Sequence, residues 1–124
     1  MSFLVLRAYW NLIYFDLCLS RRNLAALYDK VRTCPLRPSS QVPNLVGRTC
    51  AAVDIACVWY WKEVRCLQRS AVTTCMLRHC GIPARMVTGA RELPFTAHAW
   101  TEVDGHAVRE RRDVQKLYAV LERC

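Results

Sequence analysis

Residues 65–100 read R-C-L-Q-R-S-A-V-T-T-C-M-L-R-H-C-G-I-P-A-R-M-V-T-G-A-R-E-L-P-F-T-A-H-A-W, and this stretch decides the fold. It predicts a helix from Cys66 to Cys80, because Gly81 is a good C-terminal stop and Pro83 prevents continuation. From residue 84 onward the side chains alternate between apolar and polar, which predicts strands over 84–89 and 96–103. The stretch therefore begins with a cysteine at a helix start and ends with a histidine on a strand.

The chain before this stretch is helical by the spacing of its apolar residues. We expect a first helix over 3–19, a second over 21–32 with Ser20 as N-cap, and a third from 48 or 49 to about 63. Residues 34–47 contain three prolines and predict a loop. The predicted organisation is one domain over 1–124, made of a hydrophobic helical pair, a loop and a core: 1–33, 34–47 and 48–124.

The chain after this stretch predicts a hairpin and a last helix. Asp104-Gly105 is a strong turn signal, and the returning strand is expected over 106–110. Asp113 is a suitable N-cap for a short helix, whose inward residues are expected to be Val114, Leu117, Tyr118 and Leu121. Helices followed by a small antiparallel sheet indicate the α+β class.

The composition restricts the partners and the compartment. The chain has 124 residues, a net charge of +8 and a hydrophobic fraction of 53%. The apolar fraction predicts surface left for a partner, a groove or a membrane face, and the charge favours an acidic partner surface, nucleic acid or anionic lipid without choosing among them. The eight cysteines lie mostly in helical patterns, which favours free, largely buried thiols in a reducing cytoplasm over a disulfide scaffold.

The apolar segment 3–19 is interrupted by Arg7, Asn11 and Asp16. It meets neither the pattern of a transmembrane helix nor that of a signal peptide. We expect this helix to bury most of its circumference, in the core or against another protein, with peripheral membrane contact as an alternative.

Cys66 has the setting of a reactive cysteine. Proteins activate a thiol by placing it at a helix N-terminus, near positive charge and beside a histidine. Arg65 precedes Cys66 and Arg69 lies one turn further on, while the backbone N–H groups of the helix start could stabilise an oxyanion. Most cysteines are small buried hydrophobes, so this setting and not the residue type makes Cys66 the candidate nucleophile.

His98 is the candidate general base, because it lies mid-strand between two alanines that leave room for a thiol or a substrate. A third residue must hold its imidazole in the correct tautomer, and Asp104, Glu110 and Asp113 are the candidates. A three-residue hairpin loop would place Glu110 on the same face as His98, whereas a two-residue loop would turn it away. We choose Glu110.

Two other kinds of site compete with this interpretation. Cys66, Cys75, His79 and Cys80 could form a structural metal site, but no second short-spaced pair of ligands accompanies them. A basic module for RNA or DNA is the other alternative, although the arginines are scattered and no recognition motif is present. We expect neither a metal, nor another cofactor, nor a nucleic acid.

Three segments, C-L-Q-R-S at 66–70, G-I-P-A-R-M-V-T-G at 81–89 and F-T-A-H-A-W-T-E-V-D-G at 95–105, resemble the transglutaminase-like leader peptidases of lasso peptide biosynthesis. The resemblance implies a papain-like, transglutaminase-like fold with Cys66 as nucleophile, His98 as base and Glu110 where the family usually has aspartate. Related folds often use a side chain upstream of the nucleophile in the oxyanion hole, which makes Trp59 and Tyr60 candidates.

The resemblance also implies a cytoplasmic bacterial enzyme and a set of partners. The substrate would be a precursor peptide, cleaved at the junction between its leader and its core. The length resembles the stand-alone form, in which leader recognition belongs to a separate protein. An ATP-dependent macrolactam synthetase would then receive the core peptide.

Overall fold

The computed structural model describes residues 2–21, 24–37, 44–91, 96–108 and 118–124. Four helices come first, and four strands follow them. The helices are α1 (Ser2–Ser20), α2 (Leu24–Thr33), α3 (Leu45–Trp59) and α4 (Cys66–His79). The strands are β1 (Ala84–Arg91), β2 (Thr96–Val103), β3 (His106–Val108) and β4 (Ala119–Arg123). The predicted α+β class is confirmed.

The largest differences from the predicted helix boundaries are at the start of α2 and at both ends of α3. Ser20 is the last residue of α1 and not an N-cap of α2. α3 begins at Leu45, three or four residues before the predicted start, and its N-cap Asn44 has a left-handed backbone conformation (φ 55°). The same helix ends at Trp59, because Tyr60 turns to extended backbone.

The strands form one antiparallel sheet in the order β3-β2-β1-β4. Residues 119–123 are therefore a strand, and the predicted last helix is wrong over that range, whereas its first part, 113–117, lies outside the described residues. The reason is tertiary: β1 has a second edge whose N–H and C=O groups need partners, and β4 supplies them from Val87 to Ala90.

The hairpin between β2 and β3 has a two-residue loop. Asp104 and Gly105 both have positive φ, 52° and 78°, and Val103 pairs directly with His106. This geometry is the type I′ turn that matches the twist of the flanking strands. The three-residue loop considered in choosing Glu110 is therefore wrong.

The main core lies between α1, α2, α3 and α4 and the inner face of the sheet. Ala8, Leu12 and Phe15 on α1 are fully buried there. The buried amide of Gln68 donates a hydrogen bond of 2.8 Å to the Leu12 carbonyl, which ties α4 to α1. On the sheet side, the Thr101 hydroxyl of β2 donates a hydrogen bond of 3.1 Å to the Ser70 carbonyl, which ties the sheet to α4.

Two further links hold the helices to the rest of the fold. Cys34, directly after α2, forms a disulfide with Cys75 on α4, so the prediction of free thiols is wrong for this pair. The other six cysteines are free. The Arg78 guanidinium donates to the carbonyls of Val31, Ala84 and Cys124, which joins α2, β1 and the residue after β4.

α1 buries one face in the core, so the chain itself does not cover most of its circumference; the alternative, burial against another protein, stays a prediction. Its outer face exposes five large apolar side chains: Phe3, Leu6, Trp10, Tyr14 and Leu17. By length and composition the segment Phe3–Ser20 could cross a membrane, with a mean hydropathy of 1.2. α1 also packs against α3 and α4, as core helices do.

Candidate active site

Cys66 is the first residue of α4, and its side chain is exposed. Arg65 is the N-cap, with extended backbone (φ −82°, ψ 161°) and no side-chain capping bond to the helix among the described residues. The first N–H groups of a helix have no carbonyl partner within it, so they point toward the space in front of Cys66. This arrangement offers a nucleophile and oxyanion donors at one place.

The other cysteines differ from Cys66 in exposure. Burial raises the pKa of the Cys57 thiol, and burial also raises that of Cys124 against the opposing effect of nearby arginines. A raised pKa leaves less thiolate at neutral pH, so these thiols are poorer nucleophiles. Among the free cysteines, Cys66 alone is exposed.

Cys66 and His98 line the same cavity, which has a volume of about 340 Å³. Its walls come from α2, the start of α4, the two central strands and β4. They consist mainly of apolar and small side chains: Tyr28, Cys66, Leu67, Thr88, Gly89, Ala97, His98, Ala99 and Leu121. The structure thus brings together the predicted nucleophile and the predicted base from segments 32 positions apart in the sequence.

The His98 imidazole belongs to a cluster of three rings, in which the Trp100 and Tyr118 rings also contact each other with a centroid distance of 6.0 Å. It stacks on Trp100 with a centroid distance of 5.9 Å, and the Tyr118 ring lies 5.6 Å away. Gly89 is the residue of β1 directly opposite His98, and a Cβ atom there would lie 2.9 Å from both Trp100 and Tyr118. The absence of a side chain at residue 89 therefore allows Trp100 and Tyr118 to pack over β1 beside His98.

Glu102 is a buried carboxylate that the sequence analysis missed. Its Oε2 accepts a hydrogen bond of 2.9 Å from the Trp100 indole, and its Oε1 lies 3.5 Å from Arg123 Nε. Because side chains alternate along a strand, residues 98, 100 and 102 of β2 share one face. That alternation was the available signal for a row of His98, Trp100 and Glu102.

The predicted third catalytic residue is not placed by this structure. Glu110 lies outside the described residues, as does Asp113, and Glu110 stays a prediction. Asp104 lies in the hairpin turn and lines a different cavity, with Arg85, Glu102 and Arg123 among its other walls. The two-residue loop removes the register argument that favoured Glu110, and the resemblance in sequence is what remains for it.

The two residues proposed for the oxyanion hole lie outside the cavity walls. Trp59 is 75% exposed at the end of α3. The Tyr60 hydroxyl donates a hydrogen bond of 2.7 Å to Asp16. Burial and this bond raise the pKa of Tyr60 to about 12. Their role as oxyanion donors stays a prediction, and the helix start supplies donors closer to Cys66.

Arg69 and Cys75, which the sequence analysis considered for charge near the nucleophile and for metal binding, both contact other residues. The Arg69 guanidinium forms an ion pair with Asp54 on α3, so its charge is shared with that carboxylate. Cys75, proposed as a metal ligand in the alternative interpretation, is in the disulfide with Cys34. Within the described ranges, no group of three or more histidine, cysteine, aspartate or glutamate side chains has a geometry that could hold a metal ion.

The family of the chain follows from a comparison with known families. A family model described as the transglutaminase-like superfamily matches residues 9–123, which is nearly the whole chain. No curated protein and no solved structure matches it. The match covers α1 from residue 9 onward and every later helix and strand, including the helix start with Cys66 and the strand with His98. The chain belongs to the transglutaminase-like superfamily, in which cysteine protease and acyl-transfer activities are common.

Proposed function

We propose that this chain is a cysteine peptidase that removes the leader from a lasso peptide precursor. The observation that carries the catalytic part is the shared cavity of Cys66 and His98, with Cys66 exposed at a helix N-terminus. The substrate class rests on the resemblance of residues 66–110 to lasso leader peptidases. Family membership supports cysteine chemistry and leaves the substrate as our proposal.

The reaction begins with the Cys66 thiol. His98 accepts its proton, and the sulfur attacks the carbonyl carbon at the leader–core junction. The negative charge that develops on the carbonyl oxygen is stabilised by the N–H groups at the start of α4. The C–N bond then breaks, His98 protonates the amine of the departing core, and the leader remains bound to Cys66 as a thioester.

The second half of the reaction uses water. His98 removes a proton from a water molecule that attacks the thioester carbonyl, which releases the leader acid and restores the thiol. A carboxylate beside the imidazole would hold it in the required tautomer, and Glu110 is the residue predicted for this.

The walls of the cavity suit a small side chain next to the scissile bond. The small residues Thr88, Gly89, Ala97 and Ala99 line the cavity together with His98 and leave room there for a substrate side chain. This agrees with the threonine that lasso leader peptidases typically accept one residue before the end of the leader.

The proposed reaction implies further components. A separate leader-recognition protein would hold the leader, and a macrolactam synthetase would take over the released core. We place this reaction in the cytoplasm, without nucleic acid, in agreement with the resemblance.

The test is cleavage of a candidate precursor, followed by mass spectrometry, with and without the recognition protein. We expect Cys66→Ala and His98→Ala to abolish cleavage and the matched variant Cys80→Ala, at the other end of α4, to retain it. Trapping the exposed thiol with iodoacetamide tests the nucleophile separately, and Cys66 should react first. Cleavage by Cys66→Ala would refute the mechanism, and a product joined to an added amine would indicate acyl transfer instead.

The role of Glu110 as the third catalytic residue is tested by a separate comparison of variants. If Glu110 orients His98, Glu110→Ala should lose most activity, Glu110→Asp should recover part of it, and Asp104→Ala should behave as the unmodified protein. The reverse order would assign the role to Asp104.

A further inference from the structure

The outer face of α1 is an unusual surface for a small basic domain. At 100° per residue, Phe3, Leu6, Trp10, Tyr14 and Leu17 fall within a sector of about 80°, which we call the α1 stripe. The buried residues Ala8, Leu12 and Phe15 fall on the opposite side. The stripe is therefore not an edge of the core, and Phe3, Trp10 and Leu17 are each more than half exposed.

Positive charge borders the α1 stripe on the side of α2. The Arg7 guanidinium lies 5.1 Å from the Phe3 ring centroid, and Lys30 Nζ lies 5.6 Å from that of Tyr14. A groove of about 420 Å³ between the two helices contains these four residues. Long basic side chains that lie on apolar groups keep their charge at the rim, as they do at a membrane surface.

The groove continues into a second, basic cavity of about 280 Å³. Arg7 and Lys30 line both, and Arg37 and His79 are added in the second. No acidic side chain lines either one among the described residues, and the nearby Asp29 is paired with Arg32. Burial lowers the pKa of His79, and the nearby charges of Arg7 and Arg37 lower it further.

We propose that α1 lies in the surface of an anionic phospholipid bilayer. The α1 stripe enters the boundary between headgroups and acyl chains, where Trp and Tyr are favoured. Arg7, Lys30 and Arg37 contact the headgroup phosphates, since juxtamembrane basic residues bind anionic lipid. The proposal concerns a surface separate from the cavity of Cys66 and His98 and holds whatever peptide that cavity cleaves.

The packing of α1 distinguishes lying on the membrane from crossing it. Its inner face forms part of the core, and its acid, Asp16, is held by Tyr60 and Lys62, which are both outside the helix. A crossing helix would have to leave these partners. A second copy of the chain is also disfavoured as the occupant, because pairing two such faces would bring Arg7, Lys30 and Arg37 against their own copies.

The experiment is sedimentation with vesicles of phosphatidylcholine alone and of phosphatidylcholine mixed with phosphatidylglycerol. We expect binding to the mixed vesicles and weakening by salt. Trp10→Ala should reduce binding at least about tenfold, because the exposed indole is the largest apolar group of the stripe. The matched control Trp61→Ala, equally exposed near the end of α3, should bind as the unmodified protein.

A second matched pair of variants tests the contribution of positive charge to vesicle binding. Arg37→Gln should weaken binding roughly fivefold, the effect of one basic residue near an anionic surface, and Arg48→Gln on α3 should not. Absence of binding to the mixed vesicles, or equal loss in Trp10→Ala and Trp61→Ala, would overturn the proposal. Self-association that Trp10→Ala abolishes, without vesicle binding, would assign the stripe to a second copy.

Discussion

Gly89→Ala should disturb His98 without touching it. The added Cβ would lie 2.9 Å from Trp100 Cη2, 2.9 Å from Tyr118 Cβ and 3.1 Å from the Ala119 carbonyl oxygen. Real Cβ atoms do not approach other heavy atoms closer than about 3.0 Å, so these neighbours must move. Tyr118 Cβ and the Ala119 carbonyl oxygen belong to or adjoin the backbone at the start of β4, which cannot rotate away as a flexible side chain can.

The magnitude follows from the cost of overfilling a packed site, about 1–3 kcal/mol. A domain of this size has a free energy of unfolding of about 5–15 kcal/mol, so Gly89→Ala should remain folded at room temperature. The effect on catalysis should be larger. Trp100 and Tyr118 both pack on His98, and a displacement of about 1 Å of a catalytic group can cost about a hundredfold in rate.

Urea unfolding followed by tryptophan fluorescence measures the loss in free energy of unfolding. Precursor cleavage and the rate of Cys66 alkylation measure the effect on catalysis. Gly105→Ala is the matched control. Nothing lies within 4 Å of a Cβ at that position, and its φ of 78° costs an alanine about 1 kcal/mol. Gly105 lies in the turn after β2, at the end of the strand that is farther from His98.

We therefore expect both glycine variants to lose stability and only Gly89→Ala to lose activity. Unchanged activity in Gly89→Ala, with a stability loss equal to that of Gly105→Ala, would show that the two rings do not position His98. Unchanged stability as well would refute the steric argument itself.

Three other predictions concern the scaffold. Arg78→Lys should lower the free energy of unfolding by about 3 kcal/mol, measured with urea, because one ammonium cannot bind the three carbonyls that the guanidinium reaches. The pKa of Tyr60 is raised to about 12 in the fold, so folding favours the neutral phenol. The resulting contribution to the free energy of unfolding is complete below pH 10 and is lost as the pH rises from 10 to 12. Tyr60→Phe should lack that part of the pH dependence of the urea midpoint. Thiol titration of the denatured, unreduced protein should count six groups, and reduction of the Cys34–Cys75 disulfide should expose two more and cost roughly 4 kcal/mol for a loop of this length. A count of eight before reduction would contradict the pairing.

The sequence predicted the parts of the fold that depend on local patterns. The start of α4 at Cys66 and the strand with His98 were predicted because a helix and a strand have different periods, and the structure has both. The turn at Asp104 and Gly105 was also predicted, but its loop length was not, because both two- and three-residue loops accept these residues.

The parts that failed depend on contacts distant in sequence. β4 was predicted as helix from Tyr118 and Leu121, whose spacing suits a helix, but the free edge of β1 determines its conformation. The Cys34–Cys75 disulfide could not be inferred, because eight cysteines allow many pairings and spacing does not choose among them. Glu102 was not predicted, because the candidate acids lie in the hairpin turn or after it, and Glu102 precedes the turn.

β4 has a consequence for how mutations in this chain should be interpreted. Its Leu121 lines the cavity, and its backbone pairs with β1. The residue directly before it, Tyr118, contacts the His98 ring. A premature stop codon after position 117 would preserve the codons for Cys66 and His98 and still produce a null phenotype. In a saturation screen, substitutions at 118–123 should therefore cluster with active-site alleles, although this segment is more than fifty positions from the nucleophile along the chain.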